Sequence, residues 1–344
     1  MIDDIKRIEL EITSSCNAAC PGCARTIHRD KLEINRFTLQ DLQRMFPDRR
    51  HIEDKEFKFC GVLGDPADNT DAVDMTEYLI NNNGDTSWST NGACQNTEWW
   101  TRLGKLSAST NRLNIHFCVD GHKETNHIYR VNTKWNVLER NMQAYSDAGG
   151  KASWIYIVFD HNEHELDAAK AHAEKLGFRF ATRTGYRNSQ NNWVAKLGKK
   201  NNKQEKIITT TGSKEHSKKK IIEELDKFII KEEKTDAEIK EITDTIVCRY
   251  VHEQEIFISS KQELWPCCYL WDSAFKLQDG IKEKLNYSPG WNSLKQHSIE
   301  EILQHPWYKE VLEESWNSKH PKHFKRCIRT CAKNKAYHNE TKYE

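Results

Sequence analysis

Short apolar segments alternate with amphipathic segments from residue 5 to about residue 185. The apolar segments have the length of strands, and the segments between them have helical periodicity. The candidate strands are RIELEIT, EFKFCGV, TSWSTN, LNIHFCV, SWIYIVF and FRFATRT. Strands that alternate with helices in this way form a parallel sheet with helices packed against it. The pattern therefore predicts an α/β fold in this part of the chain.

The helices between these strands carry start and stop signals. Thr38 precedes the segment LQDLQRMF and has Asp41 three residues later, which is the arrangement of a capping box. Asn162 is predicted to cap the segment EHELDAAKAHAEKL, which stops at Gly177. One helical stripe before a glycine pair is predicted to belong to the core: Trp135, Leu138, Met142 and Tyr145.

The chain changes character at residues 188–247, which are polar and basic at first and then charged with a helical pattern. This composition is typical of an insertion or linker between two domains. The apolar positions of the helical pattern are Ile222, Leu225, Phe228 and Ile229.

Residues 248–344 contain the signals of a second, smaller domain. They comprise a short hairpin, a helix that Ser298 and Glu301 can begin with a capping box, and a closing cysteine pair. We therefore expect a core at residues 1–187, the charged insertion or linker, and a small α+β domain at residues 248–344.

Composition and charge exclude several classes of protein. The 344 residues suffice for two ordinary domains or for one large barrel with an appendage. Lys and Arg total 52 against 51 Asp and Glu, so the formal net charge of +1 gives no reason to expect a polyanionic partner. No apolar run reaches the roughly 20 residues that span a bilayer, and the first residues lack the features of a secretory signal. We expect a cytoplasmic protein with no membrane partner.

Three of the eleven cysteines lie within eight positions, in the segment SSCNAACPGCART. Cys16, Cys20 and Cys23 follow a predicted strand, on a loop that contains a glycine. Three thiolates at this spacing can converge on one iron–sulfur cluster and leave its fourth iron open. A structural zinc site, with His28 as the fourth ligand, is the alternative, although zinc loops generally come as two ligand pairs.

This loop resembles the signature of the radical S-adenosylmethionine superfamily, a Cys-x3-Cys-x2-Cys motif after the first strand. The resemblance implies a partial (β/α)6 TIM-like barrel, in which Cys16, Cys20 and Cys23 hold a 4Fe-4S cluster that chelates S-adenosylmethionine. It also implies reductive cleavage of S-adenosylmethionine to a 5'-deoxyadenosyl radical, which abstracts hydrogen from a substrate. The residue before the third cysteine is commonly bulky in the family and is Gly22 here.

A second segment, CGVLGDP, resembles the Gly-Gly-Glu-Pro turn of that family. By this resemblance Gly64 allows a close backbone approach, and Asp65 offers a carboxylate to the ammonium group of the cofactor. The family's first glycine is Leu63 here, and its glutamate is shortened to aspartate.

Two further strand ends resemble cofactor-binding positions of the family. The segment STNG places Ser89 and Asn91 near the cofactor, and the segment FCVDGHKETNHIYRV has Cys118 where a serine is usual. The resemblance implies that Asp120 binds cofactor hydroxyls and that Arg130 pairs with the methionyl carboxylate. Barrel folds place their active sites at the carboxyl ends of the strands, where all these residues fall.

Five more cysteines lie near the end of the chain: Cys248, Cys267, Cys268, Cys327 and Cys331. Their order resembles the twitch domain, a shortened form of the SPASM domain that follows radical barrels. The resemblance implies a second, auxiliary 4Fe-4S cluster held by Cys248, Cys267, Cys327 and Cys331, with Cys268 as the alternative to Cys267. A structural zinc site would be satisfied by the same four thiolates.

In the family, such auxiliary domains often accompany modification of peptides or proteins. The resemblance therefore implies a peptide or protein substrate, and an electron donor such as flavodoxin or ferredoxin.

One alternative is an RNA- or small-molecule-modifying radical enzyme, with the lysine-rich residues 199–220 as its RNA contact. The other is a non-enzymatic, zinc-binding interaction module. The solitary Cys60, Cys94 and Cys118 are predicted to be core or near-site residues.

Overall fold

A computed structural model describes most of the chain. The described residues are 2–59, 62–159, 161–184, 192–195, 206–209, 246–276, 288–316, 325–331 and 342–343. Cys60, most of the lysine-rich stretch and the helical pattern of residues 222–229 lie outside the described residues.

The six predicted strands form one parallel sheet in chain order. They are β1 (Arg7–Leu10), β2 (Glu56–Phe59), β3 (Asp85–Thr90), β4 (Leu113–Cys118), β5 (Ala152–Val158) and β6 (Arg179–Thr184). Each strand pairs with the next in parallel, from β1 beside β2 to β5 beside β6. The predicted α/β fold with a partial parallel barrel is confirmed.

Later strands extend this sheet at both edges. The predicted hairpin consists of β9 (Glu255–Ile258) and β10 (Leu264–Trp265), and β9 pairs in parallel with β1. Strand β11 (Lys342–Tyr343) pairs antiparallel with β6, while β7 (Asn192–Ala195) and β8 (Lys206–Thr209) form a separate pair. The division into domains stays a prediction, but the hairpin expected in the second domain lies beside the first strand of the core.

Helices connect the six parallel strands of the core, and further helices follow in residues 246–331. The helices are α1 (Ala24–Ile27), α2 (Leu39–Met45), α3 (Ala72–Asn81), α4 (Thr97–Ser109), α5 (Asn126–Tyr129), α6 (Trp135–Asp147), α7 (Leu166–Lys175), α8 (Arg249–His252), α9 (Cys268–Lys276), α10 (Ile299–Gln304), α11 (Leu312–Glu314) and α12 (Lys325–Cys331). Short 3₁₀ turns occur at Arg29–Lys31, Arg49–His51, Pro66–Asp68 and Glu163–Glu165, and a π-helical turn at Trp307–Val311. Within the described residues, every helix is too short or too polar to cross a membrane.

Two of the predicted helix starts are confirmed. Thr38 and Asp41 form a reciprocal capping box at the start of α2. Ser298 and Glu301 do the same at the start of α10. Gly177 follows the end of α7 with a φ of 70°, a conformation that glycine adopts without steric cost.

Asn162 lies at the N-cap position of the 3₁₀ turn Glu163–Glu165, as predicted for the start of this helical segment, but its side chain makes no capping hydrogen bond. Helix α7 begins at Leu166, after a 3₁₀ turn, and the Asn162 side chain caps neither element. Its amide instead accepts a hydrogen bond from the Phe159 N–H and donates to the Ile157 and Asp120 carbonyl oxygens. Because these groups are buried and need partners, the tertiary structure uses Asn162 to hold the end of β5.

The sheet has two chemically different faces, since alternate residues of a strand point to opposite sides. The apolar face packs on the helices: Trp88 lies 5.9 Å from Trp99 of α4, and Phe117 lies 5.6 Å from Tyr145 of α6. Leu138, Met142 and Tyr145 are buried there, as the helical stripe predicts. Side chains of this face include Ile8, Leu10, Phe57, Phe59, Trp88, Ile115, Phe117, Trp154 and Tyr156.

Candidate functional site

The three cysteines of the first cluster lie together on the loop that follows β1. Cys20 is buried, while Cys16 and Cys23 are half-buried. All three belong to one small contact cluster, whose buried members include Tyr129 at the end of α5 and Phe159 after β5. The loop therefore brings the three thiols to one place at the carboxyl ends of the strands.

Two asparagines fasten this loop to the end of β3. The Asn17 side chain donates to the Ala93 carbonyl oxygen at 2.9 Å. The Asn91 amide donates to the Asn17 side-chain oxygen at 2.9 Å and lies 3.5 Å from the Cys16 sulfur. Asn91, a predicted cofactor residue, is thus next to the cysteine loop. Asn17 was missed by sequence reasoning, which gave no role to residues between the cysteines.

Gly64 lies where two loops meet with almost no space between them. A Cβ atom at this position would be 1.7 Å from the Thr13 carbonyl oxygen and 2.5 Å from its carbon. The next residue, Asp65, donates its backbone N–H to the Ser15 carbonyl oxygen at 2.9 Å. Gly64 does permit a close backbone approach, and the approach described here is to the start of the cysteine loop.

The Asp65 carboxylate connects the turn after β2 to the end of β3. It is buried and accepts hydrogen bonds from the Ala67 N–H, the Thr90 hydroxyl and the Asn91 N–H, at 3.0, 2.7 and 2.7 Å. Burial raises the pKa of Asp65, and these three donors oppose that effect. Its contact with a cofactor ammonium stays a prediction, because the bonds described here are all within the protein.

Asp120 and Arg130 form a buried ion pair beside the cysteine loop. Arg130 Nε donates to Asp120 at 2.7 Å, and Arg130 Nη1 lies 3.9 Å from the Cys20 sulfur. The other Asp120 oxygen accepts from the Ile157 N–H at 2.8 Å. Burial raises the pKa of Asp120, and the neighbouring guanidinium opposes this. Because arginine has five N–H donors, Arg130 can hold Asp120 and retain donors for another acceptor, and its pairing with a methionyl carboxylate stays a prediction.

The inner face of the sheet, opposite the helices, carries many polar side chains beside the apolar Ile155 and Phe257. Its residues in register are Glu9, Lys58, Ser87, Ser89, His116, Cys118 and Ser153. Lys58 and Glu9 form an ion pair at 2.9 Å across β1 and β2. Barrels of this class commonly fill their interior with branched apolar side chains, so a polar lining favours a polar occupant.

His116 is an inner-face residue that sequence reasoning missed. It pairs with Ser89 in the register of β3 and β4, and burial lowers its pKa, so the neutral imidazole is favoured. Its Nδ1 atom is buried without a hydrogen-bond partner among the described residues. Strand alternation in LNIHFCV could have placed His116 on the same side as Cys118.

The cysteine loop fits the donor set that an iron–sulfur cluster needs. The Cys16 and Cys23 thiols both interact electrostatically with that of Cys20, whose pKa burial raises to about 11. In a cubane each thiolate binds a different iron, so the thiols surround the cluster instead of meeting at a point. Among the described residues, no three His, Cys, Asp or Glu side chains converge on the position of a single ion.

A second group of cysteines lines one cavity. Cys248 precedes α8, Cys267 precedes α9, and Cys327 and Cys331 lie one turn apart on α12. All four residues line this cavity, which is partly open to solvent. Cys268 does not line it. The structure thus brings together the four residues predicted as ligands and distinguishes Cys267 from Cys268.

Glu11 is a buried carboxyl group that joins three loops near the site. It accepts hydrogen bonds from the Leu63 N–H at 2.7 Å and from the Ser260 hydroxyl at 3.0 Å. It therefore connects the end of β1 to the turn after β2 and to the hairpin turn after β9. Burial raises the pKa of Glu11 from 4.5 to about 7, although its hydrogen bonds oppose the shift. Sequence reasoning placed Glu11 in a strand and gave it no role.

We expect the Glu11 carboxyl to make the protein less stable as the pH rises from about 4.5 to about 7. The folded state binds this proton more tightly than the unfolded state, so the stabilisation is complete below the unfolded pKa and lost through the folded pKa. At 1.36 kcal/mol per pKa unit, the loss is about 3 kcal/mol. Urea midpoints at pH 4.5 and pH 8 should show a smaller decrease for Glu11→Gln than for the wild type. An equal decrease in the two proteins would contradict this assignment.

Comparisons with known proteins agree with this geometry. SuiB from Streptococcus suis bound to S-adenosylmethionine aligns with a TM-score of 0.51 and 11% identity, over 82% of this chain and 66% of that chain. SuiB bound to its precursor peptide SuiA aligns with a TM-score of 0.53 and 10% identity, over 90% and 68%. The chain shares the fold of these solved structures.

A second protein of this fold aligns over nearly the whole chain. Native anSMEcpe, with bound AdoMet and the Cp18Cys peptide, has a TM-score of 0.50 and 14% identity, over 95% of this chain and 89% of that chain. This chain spans about two thirds of the length of SuiB. No protein-family model and no curated protein sequence matches the chain.

Proposed function

We propose that the protein is a radical S-adenosylmethionine enzyme that abstracts hydrogen from a peptide or protein. The observation that carries this proposal is the position of Cys16, Cys20 and Cys23 at the carboxyl ends of the strands. There they meet Asn91 and Arg130, within a fold shared with SuiB. A motif alone would be moderately specific, whereas a motif in its expected structural context is strong support.

The cysteine loop would hold a 4Fe-4S cluster, and the strand ends around it would hold S-adenosylmethionine. When bound, these groups supply the electron transfer and the 5'-deoxyadenosyl radical that remove hydrogen from the substrate. The residues of the chain orient the cofactor: Arg130 offers N–H donors to its carboxylate, and Asp120 fixes the guanidinium. Asp65, Ser89, Asn91 and Gly64 complete the proposed binding surface.

A peptide or protein is the proposed substrate class. SuiB has been crystallised with its precursor peptide SuiA, and anSMEcpe with the Cp18Cys peptide. The inner face of the sheet offers serine hydroxyls and the His116 imidazole, which suit the amide groups and polar side chains of a peptide. An electron donor such as flavodoxin or ferredoxin and a cytoplasmic location belong to the same proposal.

The second group of cysteines is proposed to hold an auxiliary 4Fe-4S cluster in a twitch-like domain. This proposal is supported by the four cysteines that line one cavity, because four thiolates close the coordination of a cubane. We expect Cys267→Ser to lower the iron content from about eight to about four per chain, and Cys268→Ser to leave it unchanged. Iron and sulfide analysis after anaerobic reconstitution measures both variants. Iron loss in Cys268→Ser alone would reverse the assignment.

The test of the proposed function is reconstitution of the wild-type protein under anaerobic conditions. We expect about eight irons and eight sulfides per chain, and 5'-deoxyadenosine after addition of dithionite and S-adenosylmethionine. A colourless protein that contains zinc and does not cleave S-adenosylmethionine would overturn the proposal and support the zinc-binding interaction module. Substrate binding that weakens steeply with salt would instead indicate RNA, because phosphate contacts release counterions.

A further inference from the structure

Arg249 lies between the second group of cysteines and the inner face of the sheet. Arg249 lines the same cavity as Cys248, Cys267, Cys327 and Cys331 through apolar atoms, and its positive charge acts electrostatically on the Cys331 thiol. It is the first residue of α8, directly after Cys248. Among the charged residues of the described chain, it is the one that lines this cavity.

Carboxylates fix the position of the Arg249 guanidinium. Its Nη2 atom lies 2.6 Å from Glu255, and its Nε atom lies 3.4 Å from Glu253. Glu255 lies on β9 and its side chain is 0% exposed, whereas that of Arg249 is 22% exposed. Because the pair is largely shielded from water, the guanidinium is held in place and its charge is weakly screened by salt.

A fixed cation beside a thiolate-ligated cluster has a predictable effect on electron transfer. Four thiolates give such a cluster a negative charge, and reduction adds another. The reduction potential therefore depends on the net charge and the hydrogen bonds around the sulfur atoms. Arg249 stabilises the reduced state, and its carboxylate partner Glu255 opposes that stabilisation by compensating the positive charge.

We propose that Arg249 raises the reduction potential of an iron–sulfur cluster bound by the second group of cysteines, and that Glu255 limits this effect. The inference rests on the proposed auxiliary cluster and goes beyond it by assigning the residues that tune it. Arg249 acts through the cluster and contacts no reacting atom of a substrate, so it is a positioning residue.

Arg7 provides a matched control for the charge itself. It also pairs with Glu255, at 3.6 Å, but its side chain is 38% exposed and does not line the cavity. Arg7→Gln therefore removes one cation from the same ion-pair network without changing a residue that lines the cavity. Arg249→Lys is the conservative variant, since it keeps the positive charge and loses the planar fork.

The experiment is a redox titration of the full-length chain with Cys16→Ala, Cys20→Ala and Cys23→Ala, so that only the second site can hold a cluster. Electron paramagnetic resonance follows the reduced cluster, and the variants are compared at pH 8.5, because burial raises the pKa of Glu255 to about 7 and its side chain must be ionised. For Arg249→Gln we expect an approximately tenfold shift of the one-electron equilibrium toward the oxidised state, about 59 mV. Glu255→Gln should shift it in the opposite direction, and Arg249→Lys and Arg7→Gln should change it several-fold less.

The outcomes separate this inference from the proposed function. Equal potentials for the parent, Arg249→Gln and Glu255→Gln would overturn the inference, because Arg249 would then be only structural. If Arg249→Gln fails to take up iron, the reduction potential of Glu255→Gln tests the inference: a rise supports it, and a fall or no change overturns it. Zinc or no metal in the parent chain would overturn the auxiliary cluster and this inference with it. That failure is read from the metal content before any potential is measured.

Discussion

Replacement of Cys20 by alanine is expected to abolish 5'-deoxyadenosine formation while the fold is retained. Cys20 is buried between the other two thiols and lies 3.9 Å from the Arg130 guanidinium. Two remaining thiolates cannot hold a cubane that needs three protein ligands, so we expect about four irons per chain, all at the second site. Removal of a group that only supports a metal ligand lowers activity roughly 10- to 100-fold. Removal of the ligand itself should therefore lower 5'-deoxyadenosine formation by more than about 100-fold.

Cys94→Ala is the control for this experiment. Cys94 is also half-buried near the site, but its contacts with Trp100 and Asn141 are made by its backbone carbonyl oxygen. The substitution keeps that oxygen in place, so iron content and 5'-deoxyadenosine formation should match the wild type. Full activity in Cys20→Ala, or its loss in Cys94→Ala, would show that the cluster is held elsewhere.

Gly64→Ala is expected to destabilise the protein by about 3 kcal/mol or more. The new Cβ would lie 1.7 Å from the backbone carbonyl oxygen of Thr13. Because this oxygen is part of the backbone, it cannot rotate away as a side-chain atom could. The turn after β2 and the cysteine loop would have to separate, and the hydrogen bond from the Asp65 N–H to Ser15 would be lost. We therefore expect a lower urea midpoint and, after reconstitution, a loss of iron from the first site.

Gly177→Ala separates steric overlap from backbone strain. Among the described residues, no atom outside its chain neighbours lies within 4 Å of a Cβ at Gly177, but its φ of 70° is unfavourable for alanine. Its cost should be the roughly 1 to 2 kcal/mol of a left-handed backbone conformation, with iron content unchanged. Equal destabilisation by the two substitutions would mean that the contact between Gly64 and Thr13 relaxes without cost.

Local patterns identified most elements that build the site. The alternation of strand and helix predicts all six parallel strands, because each strand must be apolar where it packs on the helices. Capping boxes at Thr38 and Ser298 are formed within four residues, so neighbouring sequence decides them. The spacing of Cys16, Cys20 and Cys23 brings three thiols together because one short loop carries them all.

Local sequence patterns did not predict the polar side chains that bond to distant segments of the chain. Asn162 looks like a helix cap, yet buried N–H and carbonyl groups of other segments occupy its amide. Glu11 looks like part of a strand, yet it meets donors about 50 and 250 residues away. Such partners depend on which backbone groups are left unpaired after folding, and no local pattern records this.

The sequence by itself determined the six parallel strands, the helix starts at Thr38 and Ser298, and the identity of the three loop cysteines, because these follow from short-range periodicity and spacing. Only the tertiary structure placed β9 beside β1 and put Cys267, instead of its neighbour Cys268, on the cavity with three other cysteines. Only the tertiary structure set Arg249 between that cavity and Glu255. These placements depend on contacts between residues far apart in the sequence, and adjacent residues of one segment face different neighbours.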